Sequence, residues 1–358
     1  MKHYTPLKEI QDYYDSTSLS QSMLKYYMGS IEDVKKAKTP QEEYYEDKRH
    51  LIIGSAIDTL LTSENDFNSK YYIMDSALKK PSETEMAILK TLFDLLKLQN
   101  KSLLDHYEDL YMLQKAVDFH SFYMNRRKDN PEEDNRLKMF NNDIHINYWK
   151  SLVESEGKTI IDSDTYNLII LPGVSSITTS ANTLKYFKNT KEVDIYYQLP
   201  LKSSIKNVEV KGLPDIIYID HLTKEIQVID IKTTSKPLAY FTEAVKQFRY
   251  DVQLSFYIDL LIKNFEFYYP ELDISNYDIQ GGWIVTSTLN PGTSKMFKAG
   301  EELLDIGRVG NEFVMGYKDA LDKYILHKEA NNYNEDICFF NNNIPVINWR
   351  TKLTNNLY

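Results

Sequence analysis

The chain has 358 residues, of which 42% are hydrophobic and 26% charged, with a formal net charge of -10. It is apolar enough to bury a core, which excludes disordered and collagen-like classes. The single cysteine, Cys338, excludes an internal disulfide framework and any cysteine-rich metal cluster. The acidic balance argues against a generally basic nucleic-acid coat but leaves room for a local basic groove.

No stretch approaches the roughly 18 uninterrupted apolar residues of a membrane span. The opening MKHYTPLKEIQDYYD lacks the apolar run of a secretory signal. A reducing, cytoplasmic setting is expected. The first half of the chain reads as helical. Ser18 and Ser20 precede a periodic run through Met23, Leu24 and Tyr27, the signature of a helix start. A charged, tyrosine-rich connection, KKAKTPQEEYYEDKRH, leads to LIIGSAIDTLL, which reads as a buried helix over 49–63. Residues 83–125 read as helical, with Leu89, Leu92, Leu95 and Leu96 at helical spacing. NRRKDNPEEDNR, 125–136, reads as a polar loop, and 144–155 and 163–188 as further helices.

Near residue 192 the pattern changes. EVDIYYQL, VEVKG, PDIIYID and EIQVIDI are short β-rich runs separated by the turn-like KSSIKN and DHLTKE, which predicts an antiparallel meander of three or four strands. An amphipathic helix is expected over 241–264, then the strand IQGGWIVTST, closed by Pro291 and Gly292, then a charged helix over 299–329. The expected fold is α/β with a mixed, mainly antiparallel sheet flanked by helices and a largely helical N-terminal extension. Its expected parts are 1–190, 191–290 and 291–358, forming one compact unit.

The strongest chemical candidate is Asp230 with Lys232 in VIDIKTT. Residues two apart on a strand share a face, so a carboxylate and an ammonium project together from an otherwise apolar run of Ile226, Val228 and Ile229. The alternative is a structural ion pair at a sheet edge. Asp215 in GLPD opens the preceding run. If the two strands pair through the turn at 221–224, Asp215 and Asp230 lie on neighbouring strands. Two carboxylates at contact distance repel, and a hard divalent cation such as Mg²⁺ or Mn²⁺ suits oxygen ligands. Arg249, Gln253 and Tyr257 recur every four residues and are expected to share a helix face, either merely solvated or able to bond phosphate.

Asp58 lies at helical spacing from Gly54, Leu51 and Leu61, an inward face where a carboxylate needs a partner or a metal. A capping or surface role is the alternative. Glu192 precedes the first β-run, and a lone Glu there is most often a surface residue. Residues 202–249 carry eight Lys or Arg, among them Lys236 and Lys246, against six acids, which favours an anionic substrate. No P-loop, G-x-S-x-G or H-E-x-x-H motif is present, and the seven His residues are scattered.

Taken together, GLPD with Asp215, DIKTT with Asp230 and Lys232, and Gln253-x-x-x-Tyr257 resemble a PD-(D/E)XK nuclease of the RecB-like branch. The RecE (exonuclease VIII) and phage recombination exonuclease group is the most similar. SLSQSMLKYY resembles that group's S-x-S-x-L segment, GSAIDTLL its G-x-A-x-H-x-L-L helix, and EGKTIIDSDTYNLI the stretch before its catalytic domain. EVDIYYQL followed by KGLPD resembles its P-E-x-S … K-G-R-x-D run. The chain departs from the pattern in two places: Asp58 stands where relatives carry a metal-binding His, and Leu213-Pro214 where they often carry Arg. With a single cysteine, the chain also differs from the superfamily's iron–sulfur members.

The resemblance implies a restriction-endonuclease-like core and metal-assisted phosphodiester hydrolysis. Asp215, Asp230 and the Ile231 carbonyl are expected to hold Mg²⁺ or Mn²⁺, with Asp58 and Glu192 completing the site or holding a second ion. Lys232 is expected to orient or activate the attacking water. Gln253, Tyr257 and Arg249 would position the strand, with Thr233 and Thr234 as supporting donors. The implied activity is a 5′→3′ exonuclease on double-stranded DNA ends that leaves 3′ tails for a single-strand annealing protein. The implied assembly is a ring-like homo-oligomer in a bacterial or phage-infected cytoplasm. The alternatives are a structure-specific or flap endonuclease, and a non-catalytic DNA-binding protein with a retired site.

Overall fold

The β-rich middle of the sequence supplies most of a six-stranded mixed sheet. A computed structural model of the protein describes residues 2–38, 49–188 and 190–333. Cys338, the end of the chain and most of the tyrosine-rich connection lie outside the described residues. The chain divides into two compact units, one made of 1–64 and 170–358, the other of 65–169. Both boundaries fall within the stretch read from sequence as one helical part, 1–190.

The first unit opens with β1 (Lys2–Tyr4), α1 (Leu7–Asp15), β2 (Leu19–Ser20), α2 (Gln21–Met28), α3 (Ile31–Lys38) and α4 (Arg49–Thr62). The second unit holds α5 (Phe67–Lys70), β3 (Tyr71–Met74), α6 (Glu83–Leu98), α7 (Leu110–Phe119), α8 (Asn135–Lys138), α9 (Asp143–Glu154), β4 (Thr159–Asp162) and α10 (Ser163–Thr165). The first unit then resumes with α11 (Leu171–Thr179), β5 (Val193–Tyr197), β6 (Leu201–Ile205), β7 (Val208–Gly212), β8 (Ile216–Asp220), β9 (Glu225–Thr234), α12 (Phe241–Phe248) and α13 (Tyr250–Tyr268). It ends with β10 (Asp278–Ser287), β11 (Ser294–Lys298), α14 (Glu301–Val309) and α15 (Tyr317–Ala330).

In the first unit the strand order is β1-β5-β8-β9-β10-β11. β5–β8, β8–β9 and β10–β11 pair antiparallel, while β1–β5 and β9–β10 pair parallel. The sheet is therefore mixed and mainly antiparallel, as the sequence predicts. The simple meander is not observed. β5 skips to β8, because β6 and β7 form a separate antiparallel hairpin that joins β2. Most of the turn-like KSSIKN is strand β6, and only Lys206 and Asn207 turn, with φ of 51° and 61°. Two consecutive left-handed residues make the tight turn whose twist matches its flanking strands.

Alternation along β9 assigns the two faces. Ile226 and Val228 join a core with Val252, Leu254, Phe256 and Ile258, so α13 covers that face. Opposite, a β-carbon on Gly54 of α4 would meet Thr233 Oγ1 at 3.1 Å, and one on Gly173 of α11 would meet Ile57 and Thr286. The sheet thus lies between α12–α13 and α4–α11.

Three helices expected to be continuous are interrupted. The stretch 83–125 is two helices, α6 and α7, parted by 99–109. The amphipathic helix after β9 breaks at Arg249, whose φ is 52°. The charged C-terminal helix is α14 and α15, parted at Gly310. The second unit has its own core, in which Ile88, Leu92, Leu113, Val117, Phe140 and Trp149 are buried. A capping box fixes the start of α6: the Glu85 N–H donates to Ser82 Oγ, and the Ser82 N–H donates to Glu85 Oε2 at 2.8 Å.

Candidate active site

The site lies just before β8 begins. Ile216 pairs with Ile229, and the next step of that register sets Asp215 opposite Asp230. Pro214 has no N–H and cannot extend the ladder, so the chain leaves the sheet there. β9 runs on without β8 beside it. Its Ile231 N–H is satisfied instead by Asp215 Oδ2 at 2.6 Å. An LPD sequence therefore converts a lost backbone pairing into a held carboxylate.

Asp230 is 2% exposed and forms an ion pair with Lys232 on the same face of β9. Both residues follow Ile226 and Val228 toward α13. There Tyr257 is buried, and its hydroxyl accepts from the Gln253 amide at 3.2 Å. Burial, reinforced by Asp230, pushes the Tyr257 phenol well up. Burial also works against the Lys232 ammonium, but Asp230 and Asp215 outweigh it and its pKa is raised. Its charge also lies 4.8 Å from the centre of the Tyr250 ring.

Asp58 comes from α4, on the other face of the sheet. Its Oδ2 accepts from the Gln198 side-chain amide at 2.6 Å, while the Gln198 backbone N–H donates to the Asp215 carbonyl at 3.0 Å. One residue just past β5 thus ties Asp58 to Asp215. Gln198 is buried and holds a φ of 50°, a left-handed conformation that costs a non-glycine residue about 1 kcal/mol or more. Burial, then Asp58, then Asp230 raise the Asp215 pKa well above the usual carboxylate range.

Two expected residues, Glu192 and Arg249, are not brought to this cluster. Glu192 is exposed at the far end of β5, beyond Val193, which pairs with Asp220. Six strand positions, about 20 Å, separate it from Gln198. Arg249 does not share a face with Gln253 and Tyr257. It occupies the left-handed break, where its guanidinium binds the buried Asp251 at 2.9 Å and closes the α12–α13 joint. Lys236 and Lys246 are exposed to solvent. Thr234 caps the end of β9, accepting from the Lys236 N–H at 3.1 Å, and Thr233 faces Gly54. Leu51 is 58% exposed and not inward, although Leu61 is buried as expected.

Other residues at the site went unnoticed in the sequence. Lys25 of α2 donates to the Phe248 carbonyl at 2.7 Å and lies 5.7 Å from the centre of the same Tyr250 ring. Burial and the charge on Lys232 lower its pKa to about 8. Tyr14, 64% exposed at the end of α1, is pushed up by burial and by Asp58 and Asp215. The buried Lys211 ammonium fixes that end of α1 by donating to the carbonyls of Tyr13 at 2.6 Å and Ser16 at 2.7 Å.

The donor set of Asp58, Asp215 and Asp230 is all oxygen, and burial followed by mutual repulsion raises the Asp215 pKa. A hard divalent cation relieves that repulsion, so the chemistry of these residues fits one. Among the described residues, no three acidic, His or Cys side chains are already closed into a metal cage. Two of the three carboxylates are instead engaged by N–H donors.

No curated protein matches the chain. A solved structure from Eubacterium rectale, named "Putative exonuclease", aligns over 92% of this chain and 90% of its own at 9% identity with a TM-score of 0.36. The model of the PD-(D/E)XK nuclease superfamily matches residues 17–283, three quarters of the chain and every residue of the carboxylate–lysine cluster. The chain belongs to the PD-(D/E)XK nuclease superfamily.

Proposed function

We propose that the protein is a Mg²⁺- or Mn²⁺-dependent DNA exonuclease that degrades linear duplex 5′→3′ and leaves 3′ single-stranded tails. Superfamily membership supports nuclease chemistry. The observation that carries the reading is the register of β8 and β9, which sets Asp215 against Asp230 beside an ion-paired Lys232.

Asp58, Asp215, Asp230 and the Ile231 carbonyl would hold the cation. When bound, it supplies a water of lowered pKa and offsets charge on the phosphorane-like transition state. Burial, Asp58 and Asp230 raise the Asp215 pKa, so a cation held there would also favour its carboxylate form. Lys232, ion-paired with Asp230 and with its pKa raised by Asp230 and Asp215, would orient the water and stabilise charge. Gln253 and Tyr257 fix the floor behind Asp230. Duplex ends as substrate, a ring-like assembly around DNA and a single-strand annealing partner belong to the same reading.

The test compares covalently closed circular duplex with its linearised form in Mg²⁺. An exonuclease degrades only the linear form, with label lost from the 5′ end before the 3′ end. Comparable attack on the closed circle overturns the exonuclease reading in favour of an endonuclease. Loss of 3′ label first reverses the polarity.

A further inference from the structure

The second unit carries a surface that the carboxylate site does not use. Along α7 the buried positions are Met112, Leu113, Ala116 and Val117, which pack into the unit's core, and Gln114, whose amide donates to the Lys128 carbonyl and to Asp134. The exposed positions are Tyr111, Lys115 and Phe119, four residues apart and therefore on one stripe. A merely solvated face would be charged or small. Here two large aromatics, 57% and 76% exposed, flank a single lysine.

The lysine ammonium lies 4.5 Å from the Tyr111 ring centre. Beyond the helix the chain reverses through Ser121 and Tyr123, both left-handed with φ of 51° and 45°. This turns out Tyr123, 48% exposed, with the Arg126 guanidinium 4.8 Å from its ring centre. Residues 110–128 carry four cations against one acid, Asp118, within a chain of net charge -10. That acid is already paired with Arg127 and Arg136.

We propose that α7 and the turn after it make a second nucleic-acid contact, with residues other than those of the catalytic cluster. It binds a single strand by stacking bases on Tyr111, Phe119 and Tyr123 while Lys115, Arg126 and Lys128 meet the phosphates. Exposed rings interleaved with cations fit a polyanion whose bases are free to stack. A duplex buries those faces, and an apolar protein surface would leave the cations without counter-charges. The proposal draws on superfamily membership but not on polarity or cleavage mode, and its test involves no cleavage.

The full-length protein is titrated with fluorescein-labelled dT20 in EDTA, read by anisotropy at several salt concentrations. The variant Tyr111→Ala/Phe119→Ala is expected to bind at least fivefold more weakly with an unchanged salt slope, since stacking releases no counterions. Lys115→Ala/Arg126→Ala is expected to lower the slope by about 1.4, roughly 0.7 for each single-strand phosphate that it no longer neutralises. An abasic 20-mer should bind the wild type at least as poorly as dT20 binds the aromatic variant, which keeps Tyr123. Wild-type protein irradiated with 5-iododeoxyuridine oligonucleotide should carry the adduct within 110–128, a readout that needs no variant to fold. Unchanged dT20 affinity of the aromatic variant, or adducts found only elsewhere, overturns the proposal. So does a variant that dissociates a dimer in sedimentation while binding dT20 normally, which would make the face a self-association surface.

Discussion

The Gln198 side-chain amide donates to Asp58 Oδ2 at 2.6 Å, joining residues 140 positions apart in sequence. The bond holds a carboxylate from α4 beside two that belong to the sheet. Its cost is visible in the left-handed backbone of Gln198.

Gln198→Ala should therefore weaken Mg²⁺ or Mn²⁺ binding by about tenfold, the scale of one hydrogen bond to a charged group. Titration calorimetry measures this without turnover. Gln198→Gly also removes the amide but relieves the backbone, so it should be about 1 kcal/mol more stable than the Ala variant while binding the cation no better. Wild-type cation affinity in either variant would show that Gln198 does not position Asp58.

Asp230 and Lys232 make a second pair whose parts are unequal. Both Asp230→Asn and Lys232→Met should abolish cleavage. Their stabilities should differ, because Lys232→Met leaves a carboxylate that is 2% exposed without its cation. That change should cost about 3–5 kcal/mol, and Asp230→Asn much less. The double variant Asp230→Asn/Lys232→Met should recover most of the loss in a denaturant melt. Additive losses would mean that the pair is not coupled.

The β8–β9 hairpin and the shared face of Asp230 and Lys232 were legible because strand periodicity is two and the turn length fixes the register. Asp58 and Gly54 were legible because helical spacing put them on one side of a short apolar helix. Gln198 was not, since nothing local marks a residue whose φ is imposed by contacts at distant positions. Arg249 was misplaced for a related reason. An i, i+4 pattern assumes an unbroken helix, and the Arg249–Asp251 ion pair sustains a break that propensity does not announce. Glu192 was drawn in by motif likeness, yet strand geometry carries it to the other end of β5. Lys25 sits in a run with no charge pattern, and only tertiary packing brings it to the Tyr250 ring.

Asp215 sets a pH dependence for the metal-free protein. Its folded pKa lies above its ordinary value of 3.8 because of burial and then Asp58 and Asp230. A raised carboxyl contributes stability that is present in full below the unfolded value and lost as pH rises through the folded one. In EDTA at pH 7, Asp215→Asn should therefore melt higher than wild type, and the gap should close as the pH falls toward 4. Saturating Mg²⁺ should invert the order, because the cation stabilises only the protein that keeps its ligand. An Asp215→Asn variant that melts lower than wild type at pH 7 in EDTA would contradict the repulsion argument.

Gly54 offers a test in which two opposing effects can be separated. It lies one turn before Asp58 on α4, and a β-carbon there would stand 3.1 Å from Thr233 Oγ1 on β9. Alanine in mid-helix gains about 1 kcal/mol of helix propensity over glycine. The close contact opposes this by moving α4 away from the sheet by a few tenths of an ångström. The two terms nearly cancel in stability, but they do not cancel at the site. The displacement acts directly on the 2.6 Å bond between Asp58 and Gln198, and propensity does nothing to restore it. Gly54→Ala should therefore melt within about 1 kcal/mol of wild type yet lose about tenfold in cleavage rate. Adding Thr233→Ala removes the opposing oxygen and should return most of the activity, a coupling that two independent lesions would not show. If Gly54→Ala keeps wild-type turnover, close approach of α4 to β9 is not what places Asp58.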